Sequence, residues 1–329
     1  MSKAIGIVGI GSYVPDRIVT NYDLEKIMDT SNDWILERTG IERRRVADKD
    51  TASSDLGVKA AEAALADAGL SAEDIDLIIT ATLSPDMIFP STACVIQEKI
   101  GAVNAAAFDL SAACTGFIYA ITTAKAFIAS GDAKKVLVIG TEAISKILNW
   151  EDRKTAVLFG DGAGAVVLAE TEEGKGIITS VLGSDGTGNQ LLYIPAGGTR
   201  MPASYETVDR KGHTIVMDGS EVFKFASRKM VEVSEEAVNK SGLTLQDIDC
   251  FLPHQANLRI IKNAAKRMGI PLEKVYINLH EYGNMSAASI PVALDEAVKN
   301  GHIKKGDIIL MVGFGAGLTW GATVLEWNR

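Results

Sequence analysis

A faint internal repeat restricts this chain more than any other feature of its sequence. Gly69-Leu-Ser-Ala-Glu-Asp-Ile-Asp76 is echoed by Gly242-Leu-Thr-Leu-Gln-Asp-Ile-Asp249 at an offset of 173 residues. Each copy follows an amphipathic helical pattern, 55–68 or 220–240, and enters an apolar strand, 77–81 or 250–252. A second echo pairs Gly131 to Val136 with Gly301 to Gly306 at an offset of 170, each between a helix and a strand, 136–139 or 308–312. Gly-Leu-Ser turns also arise by chance in helix-rich chains, but the matching flanks favour duplication. Short apolar strands alternating with helices predict an α/β architecture of two similar halves. Glu170-Thr-Glu-Glu-Gly-Lys-Gly176 interrupts the apolar pattern and places the boundary, giving halves 1–173 and 174–329.

The second offset has a chemical consequence. Adding 170 to Cys114 lands on Asn284, and both are followed by mostly apolar helical stretches, 115–128 and 285–298. If the halves stack about a pseudo-twofold axis, these helix starts face one another. Cys114 lies in Asp109-Leu-Ser-Ala-Ala-Cys-Thr-Gly116, between a strand at 104–108 and a helix. At such a turn a helix N-terminus favours the thiolate, and a backbone N–H is available to an oxyanion. The competing reading is a small buried hydrophobe. His254 begins His-Gln-Ala-Asn257 at a strand end, a position that lines many α/β clefts but also suits a cap or a solvent-facing side chain. Asn284, in Tyr-Gly-Asn-Met-Ser-Ala-Ala-Ser289, has the ordinary alternative of a helix cap.

Taken together, the three permit a thioester on cysteine and two neutral donors to a carbonyl that becomes enolate-like. A papain-like arrangement uses the same residue types, with histidine deprotonating cysteine; the duplicated layout and the Gly-Asn helix start count against it. Gly313-Phe-Gly-Ala-Gly317 and its expected first-half analogue Gly160-Asp-Gly-Ala-Gly164 offer tight turns or a backbone donor, and also suit plain hairpins. Gly6, Gly9 and Gly11 have the wrong spacing for a dinucleotide fingerprint. Gly197 to Gly219 reads as a polar surface excursion near a groove.

Composition narrows the classes further. With 329 residues and 47% hydrophobic content, the chain has ample material for a core. A net charge of −9 argues against general attraction to nucleic acid or anionic membrane. Cys94, Cys114 and Cys250 are odd in number and lack metal-ligand spacing, which suits a reducing compartment without structural disulfides or a metal. The apolar stretch from Ala4 to Ile10 is short for a secretory core, and no segment reads as a membrane span of ~20 apolar residues. A cytoplasmic location is expected.

Asp33-Trp-Ile-Leu-Glu-Arg-Thr-Gly40, Cys114, His254-Gln-Ala-Asn257, Gly283-Asn-Met-Ser-Ala-Ala-Ser289 and Gly313-Phe-Gly-Ala-Gly-Leu-Thr-Trp320 follow one another in an ordered set. Over essentially the whole chain, that set resembles the β-ketoacyl-[acyl-carrier-protein] synthase III family. The resemblance implies a duplicated five-layer αβαβα thiolase-like fold and a two-stage reaction. Acyl-CoA would load Cys114; malonyl-acyl carrier protein would lose CO₂, and its carbanion would attack the thioester. By motif, His254 and Asn284 would hold the malonyl thioester oxygen, with the Cys114 and Ala316 amides forming the other oxyanion hole. Ala316 replaces a frequent glycine and Met285 a frequent threonine. His280 is not at the second histidine position of elongating enzymes, and no cysteine follows Cys250, unlike thiolases with a second catalytic cysteine.

The same resemblance implies CoA recognition by Trp34, Arg38 and Arg153, with adenine sandwiched between Trp34 and Arg153. It also implies that Phe89 crosses a homodimer interface to shape the partner's primer pocket. A basic rim of Lys224, Arg259, Lys262 and Arg267 would attract acidic acyl carrier protein. CoA enters as a thioester substrate, and no prosthetic group is implied. A hydroxymethylglutaryl-CoA-forming enzyme or a plant-like polyketide synthase is the enzymatic alternative, although the latter expects Gly-Phe-Gly-Pro-Gly; a noncatalytic CoA-binding scaffold is the alternative of another class.

Overall fold

The structure, a computed structural model, describes residues 4–172 and 175–329. The expected boundary between 173 and 174 therefore lies outside the described residues. Two sheets carry the fold. The first runs in the order Ile5–Tyr13, Gly162–Glu170, Lys135–Glu142, Leu77–Ala81, Ala106–Leu110, and the second repeats it as Gly176–Ser184, Thr319–Glu326, Ile308–Gly315, Cys250–Pro253. In both, the first two pairings are antiparallel and the next is parallel. The fifth position of the second sheet is reduced to a parallel bridge between Phe251 and Val275.

Strand side chains alternate between faces, so each apolar run feeds two cores. Val136 and Val138 point into the space between the sheets, while Leu137 and Ile139 face outward. In the second sheet Ile309 and Met311 point inward, and Leu310 and Val312 outward. Helices Gly116–Ser130 and Ser289–Lys299 fill the space between the sheets. Ser53–Ala68 and Thr92–Ile100 cover the outside of the first sheet, Gly219–Ser241 and Leu258–Met268 that of the second. The result is the expected five-layer αβαβα stack. Residues 113–130 are apolar enough in length and composition to cross a bilayer, contrary to the sequence reading. Their apolarity serves the middle layer, where Phe117, Ile118, Ile121 and Ile128 are buried among both sheets.

The structure explains the repeat. Gly69 and Gly242 end their helices in the left-handed region, at φ 66° and 78°, which glycine enters without a Cβ clash. The hydroxyls of Ser71 and Thr244 then donate to Asp74 and Asp247, forming matched turns into the strands Leu77–Ala81 and Cys250–Pro253.

The register of the repeat corrects the sequence reading at the position that matters most. Turns Ala113–Thr115 and Ser286–Ala288 correspond at 173, both opening on a left-handed residue, Ala113 at φ 47° and Ser286 at φ 46°. The structural counterpart of Cys114 is therefore Ala287, and Asn284 precedes the matching turn. The offset falls to 170 at Gly131 and Gly301 because the second central helix ends earlier; the following loop restores 173 before Lys135–Glu142 and Ile308–Gly315. The counterpart of Gly313–Gly317 is accordingly residues 140–144, not Gly160–Gly164. The strand expected at 104–108 lies at Ala106–Leu110.

Candidate active site

Cys114 sits in the turn that leads into Gly116–Ser130. The Thr115 hydroxyl donates to the Ala112 carbonyl at 2.6 Å, holding the turn against the strand end. Cys114 is buried, and burial pushes its thiol up to about 12, outweighing the Ser286 hydroxyl that lowers it; the Glu142 carboxylate raises it further. Desolvation thus favours the neutral thiol, against the thiolate preference expected of the helix N-terminus.

Three residues of the 254–257 motif have distinct tasks. The His254 N–H donates to the Val312 carbonyl at 2.7 Å, fixing the loop to the neighbouring strand. Gln255 Nε2 donates to the carbonyls of Pro253 at 2.8 Å and Tyr276 at 3.1 Å, and its Oε1 accepts from the Asn278 N–H. Asn257 caps Leu258–Met268 by accepting from the Arg259 N–H, while its Nδ2 donates to the Arg38 carbonyl. The His254 ring stands edge-on to Phe314, with centroids 5.5 Å apart. It is 1% exposed, neither ring nitrogen has a partner, and burial lowers its pKa to about 3. A neutral imidazole keeps one N–H to donate.

Asn284 is held by its backbone. Its N–H donates to the Leu158 carbonyl at 2.8 Å, and its carbonyl accepts from the Gly160 N–H at 3.0 Å. A Cβ at residue 160 would sit 2.3 Å from the Tyr282 carbonyl, which explains the glycine there. Asn284 Oδ1 accepts from the Ser286 N–H at 2.8 Å, so the amide turns its Nδ2 away as a free donor.

These elements converge. Cys114, His254, Asn284, Phe314, Gly315 and Ala316 line one largely apolar cavity. A second cavity also reaches Cys114, walled by Leu83, Phe159, Leu192, Ile194 and Ile215. Leu192, just before the expected surface excursion, pairs with Met217 near its end in two short strands, and both border the first cavity. A Cβ at Gly315 would lie 2.8 Å from the Cys114 nitrogen, so this strand end closes on the Cys114 N–H. Ala316 follows outside the left-handed region, and alanine fits there without backbone strain.

The other expected residues lie around this centre. Arg153 and Arg38 stack on the Trp34 ring at 5.1 and 5.7 Å, and Arg153 Nη1 donates to the Asp29 carbonyl. The two side chains expected to sandwich adenine, Trp34 and Arg153, are thus in direct contact with each other. Phe89 is 83% exposed beside Ile88 and Met87. Arg259 stacks at 5.6 Å on Phe223, whose ring borders the cavity, and exposed Lys262 lies one turn further along the helix. Arg267 Nη1 donates to the Ser227 carbonyl. Lys224 is engaged by Glu221 at 2.7 Å, which blunts its part in the basic rim.

The sequence reading passed over Glu142 and Ser286. Glu142 ends the strand Lys135–Glu142 with a fully buried carboxylate, accepting from Thr82, Leu83, Ser84 and the Ala287 N–H. Ser286 contacts both Glu142 and Cys114 electrostatically, yet its buried hydroxyl has no hydrogen bond of ordinary geometry. The available signal was a glutamate closing a strand whose centre, Val136 to Gly140, is apolar.

Residues 108–186 match the family model described as 3-Oxoacyl-[acyl-carrier-protein (ACP)] synthase III, and residues 238–327 that of its C terminal. The chain is 58% identical over 326 residues to the Beta-ketoacyl-[acyl-carrier-protein] synthase III of Caldanaerobacter subterraneus subsp. tengcongensis, covering 99% of this chain and 98% of that one. It is 58% identical over 328 residues to the Clostridioides difficile protein of the same name, covering 100% of both. The crystal structure of 3-oxoacyl-[acyl-carrier-protein] synthase III from Aquifex aeolicus VF5 superposes with a TM-score of 0.91 at 48% identity, covering 98% of this chain and 100% of that one.

Proposed function

The chain belongs to the 3-oxoacyl-[acyl-carrier-protein] synthase III family, and from that premise we propose that Cys114 carries the acyl group while His254 and Asn284 hold the malonyl thioester oxygen. The protein is an acyltransferase. It condenses an acyl-CoA primer with malonyl-acyl carrier protein, giving β-ketoacyl-acyl carrier protein, CoA and CO₂ in the initiation of fatty-acid synthesis.

In the first stage Cys114 Sγ attacks the acyl-CoA carbonyl, whose oxygen gains charge beside the Cys114 and Ala316 N–H groups. In the second, malonyl-acyl carrier protein loses CO₂, and the resulting enolate oxygen receives hydrogen bonds from the His254 imidazole N–H and Asn284 Nδ2. Its carbon attacks the Cys114 thioester. The observation that carries this reading is the polarity of the two donors: His254 is buried, neutral and unpartnered, and Asn284 is oriented by the Ser286 N–H to present its amino group. Neutral donors suit an oxygen whose charge develops during the reaction. A papain-like reading needs a Cys–His contact, whereas both His254 nitrogens are without partners.

In this reading CoA enters past Trp34, Arg38 and Arg153, without a prosthetic group. The exposed Phe89 supports a homodimer in which it reaches the partner's primer pocket. Arg259, Lys262, Arg267 and, less directly, Lys224 guide the carrier protein, and the location is cytoplasmic. Intact-mass spectrometry after incubation with acyl-CoA tests the central claim. The protein gains one acyl group, and Cys114→Ala gains none while retaining its circular dichroism; stoichiometric acylation of that variant rejects the assignment.

A further inference from the structure

Each half presents its strand end to the central turn of the other. Gly315 closes on the Cys114 N–H, and its counterpart Glu142 closes on the Ala287 N–H, the counterpart of Cys114, with Oε1 accepting at 3.4 Å. Where the second half leaves room at an amide for substrate oxygen, the first half installs a carboxylate. The two central turns touch, and a Cβ at Gly116 would lie 3.5 Å from the Ala287 Cβ.

The carboxylate is unevenly engaged. Oε2 accepts from the Ser84 hydroxyl at 2.6 Å, the Ser84 N–H at 3.1 Å, the Thr82 hydroxyl at 3.2 Å and the Leu83 N–H, which it shares with Oε1, at 3.2 Å. Oε1 has only the long contacts from Leu83 and Ala287 N–H, at 3.3 and 3.4 Å, and faces the turn that carries Ser286. The Ser286 hydroxyl is buried in that turn without a hydrogen bond of ordinary geometry, free to turn to either side, and couples electrostatically to both Cys114 and Glu142. Facing Glu142 are therefore the Thr82, Ser84 and Ser286 hydroxyls, three N–H groups and the Cys114 thiol.

We propose that Glu142, acting through the Ser286 hydroxyl, takes the Cys114 thiol proton during primer loading and holds it until condensation releases the cysteine. The inference rests on the assignment of Cys114 as the acyl carrier. In the first stage the Cys114 sulfur bonds to the acyl carbon as its proton passes to Ser286 Oγ and the serine proton to Glu142 Oε1. The carbon–sulfur bond to CoA breaks, and the CoA thiolate takes a proton from solvent. In the second stage the enolate carbon bonds to the acyl carbon, and the thioester bond to Cys114 breaks with its electron pair left on sulfur. Glu142 then returns the stored proton through Ser286. Burial suits both ends of the transfer, holding the thiol protonated and raising the Glu142 carboxyl from 4.5 to about 7, whereas His254, lowered to about 3, is a poor base.

The test uses the intact enzyme with acetyl-CoA and isobutyryl-CoA as primers, following acylation by rapid quench and carboxyl protonation by infrared difference spectroscopy. Acylation of the wild type brings up a protonated-carboxyl band that is absent from Glu142→Gln. That variant loads ~10²-fold or more slowly, with its dependence on pH through neutrality lost. Ser286→Ala, which keeps the backbone hydrogen bond to Asn284, slows loading and the band together, and Glu142→Asp restores part of both. A purely structural role for Glu142 predicts slower loading with an unchanged pH profile. Acylated wild type without the band, or a Glu142→Gln profile that superimposes on the wild type, overturns the relay. Failure of wild-type Cys114 to acylate at all overturns the assignment beneath it instead.

Discussion

Gly315 and Glu142 occupy equivalent strand ends in the two halves, one leaving space over the Cys114 N–H and the other filling the corresponding space over the Ala287 N–H. The two halves thus set two similar amide sites across the central layer, and only the one at Ala287 is closed by a carboxylate.

Gly315→Ala should therefore block loading without unfolding the chain. Gly315 has φ −158°, an extended backbone open to any residue, so the penalty falls on the new Cβ placed 2.8 Å from the Cys114 nitrogen. Obstructing an oxyanion donor reduces acylation by ~10²–10³-fold. Rapid-quench loading together with the melting temperature checks this, and a variant that loads normally removes the Cys114 N–H from the mechanism.

His254→Ala and Asn284→Ala should slow malonyl decarboxylation by ~10²–10³-fold while leaving acylation of Cys114 much less affected, because both donors strengthen at the enolate oxygen. Separate measurements of CO₂ release and acylation supply the comparison. Loss of primer loading with normal decarboxylation would return histidine to the role of a base for cysteine.

Charge reversal at Arg259 and Arg267 should raise KM for malonyl-acyl carrier protein more than it impairs loading from acyl-CoA, with the difference shrinking as salt rises. Arg259→Glu is the sharper test, because Arg267 also supports the Ser227 carbonyl. Equal damage to both half-reactions at every salt concentration counts against a carrier-selective rim.

Stability should respond to pH through two buried groups of opposite sign. Between its folded value near 3 and the ordinary 6.5, His254 takes a proton in the unfolded chain alone, so its contribution to stability is lost as pH falls. Between 4.5 and about 7, Glu142 takes a proton preferentially in the folded chain, so its contribution is lost as pH rises. Each is worth at most about 1.4 kcal/mol per pH unit. They oppose one another where the ranges overlap. Urea unfolding between pH ~5 and ~6.5 should show a falling stability slope in His254→Leu and a rising one in Glu142→Gln, relative to wild type. Slopes that move in the same direction refute the paired assignment.

The sequence by itself determined the alternation of strands and helices, the two halves, and the Cys114, His254 and Asn284 candidates. Those features are carried by local signals: apolar period, the Gly-Leu-Ser/Thr turns and the motifs around each residue. It misplaced the equivalence of Cys114, because the earlier end of the second central helix and its compensating loop leave the conspicuous Gly-x-x-Lys-Lys echo at 170 while the surrounding fold keeps 173. Only the tertiary structure decided that Cys114 is buried, which pushes its thiol up against the thiolate. Only it brought Glu142 to the turn of the opposite half, because a residue ending a strand acquires its partners from segments packed against it, here residues 82–84 and, 145 positions away, Ala287.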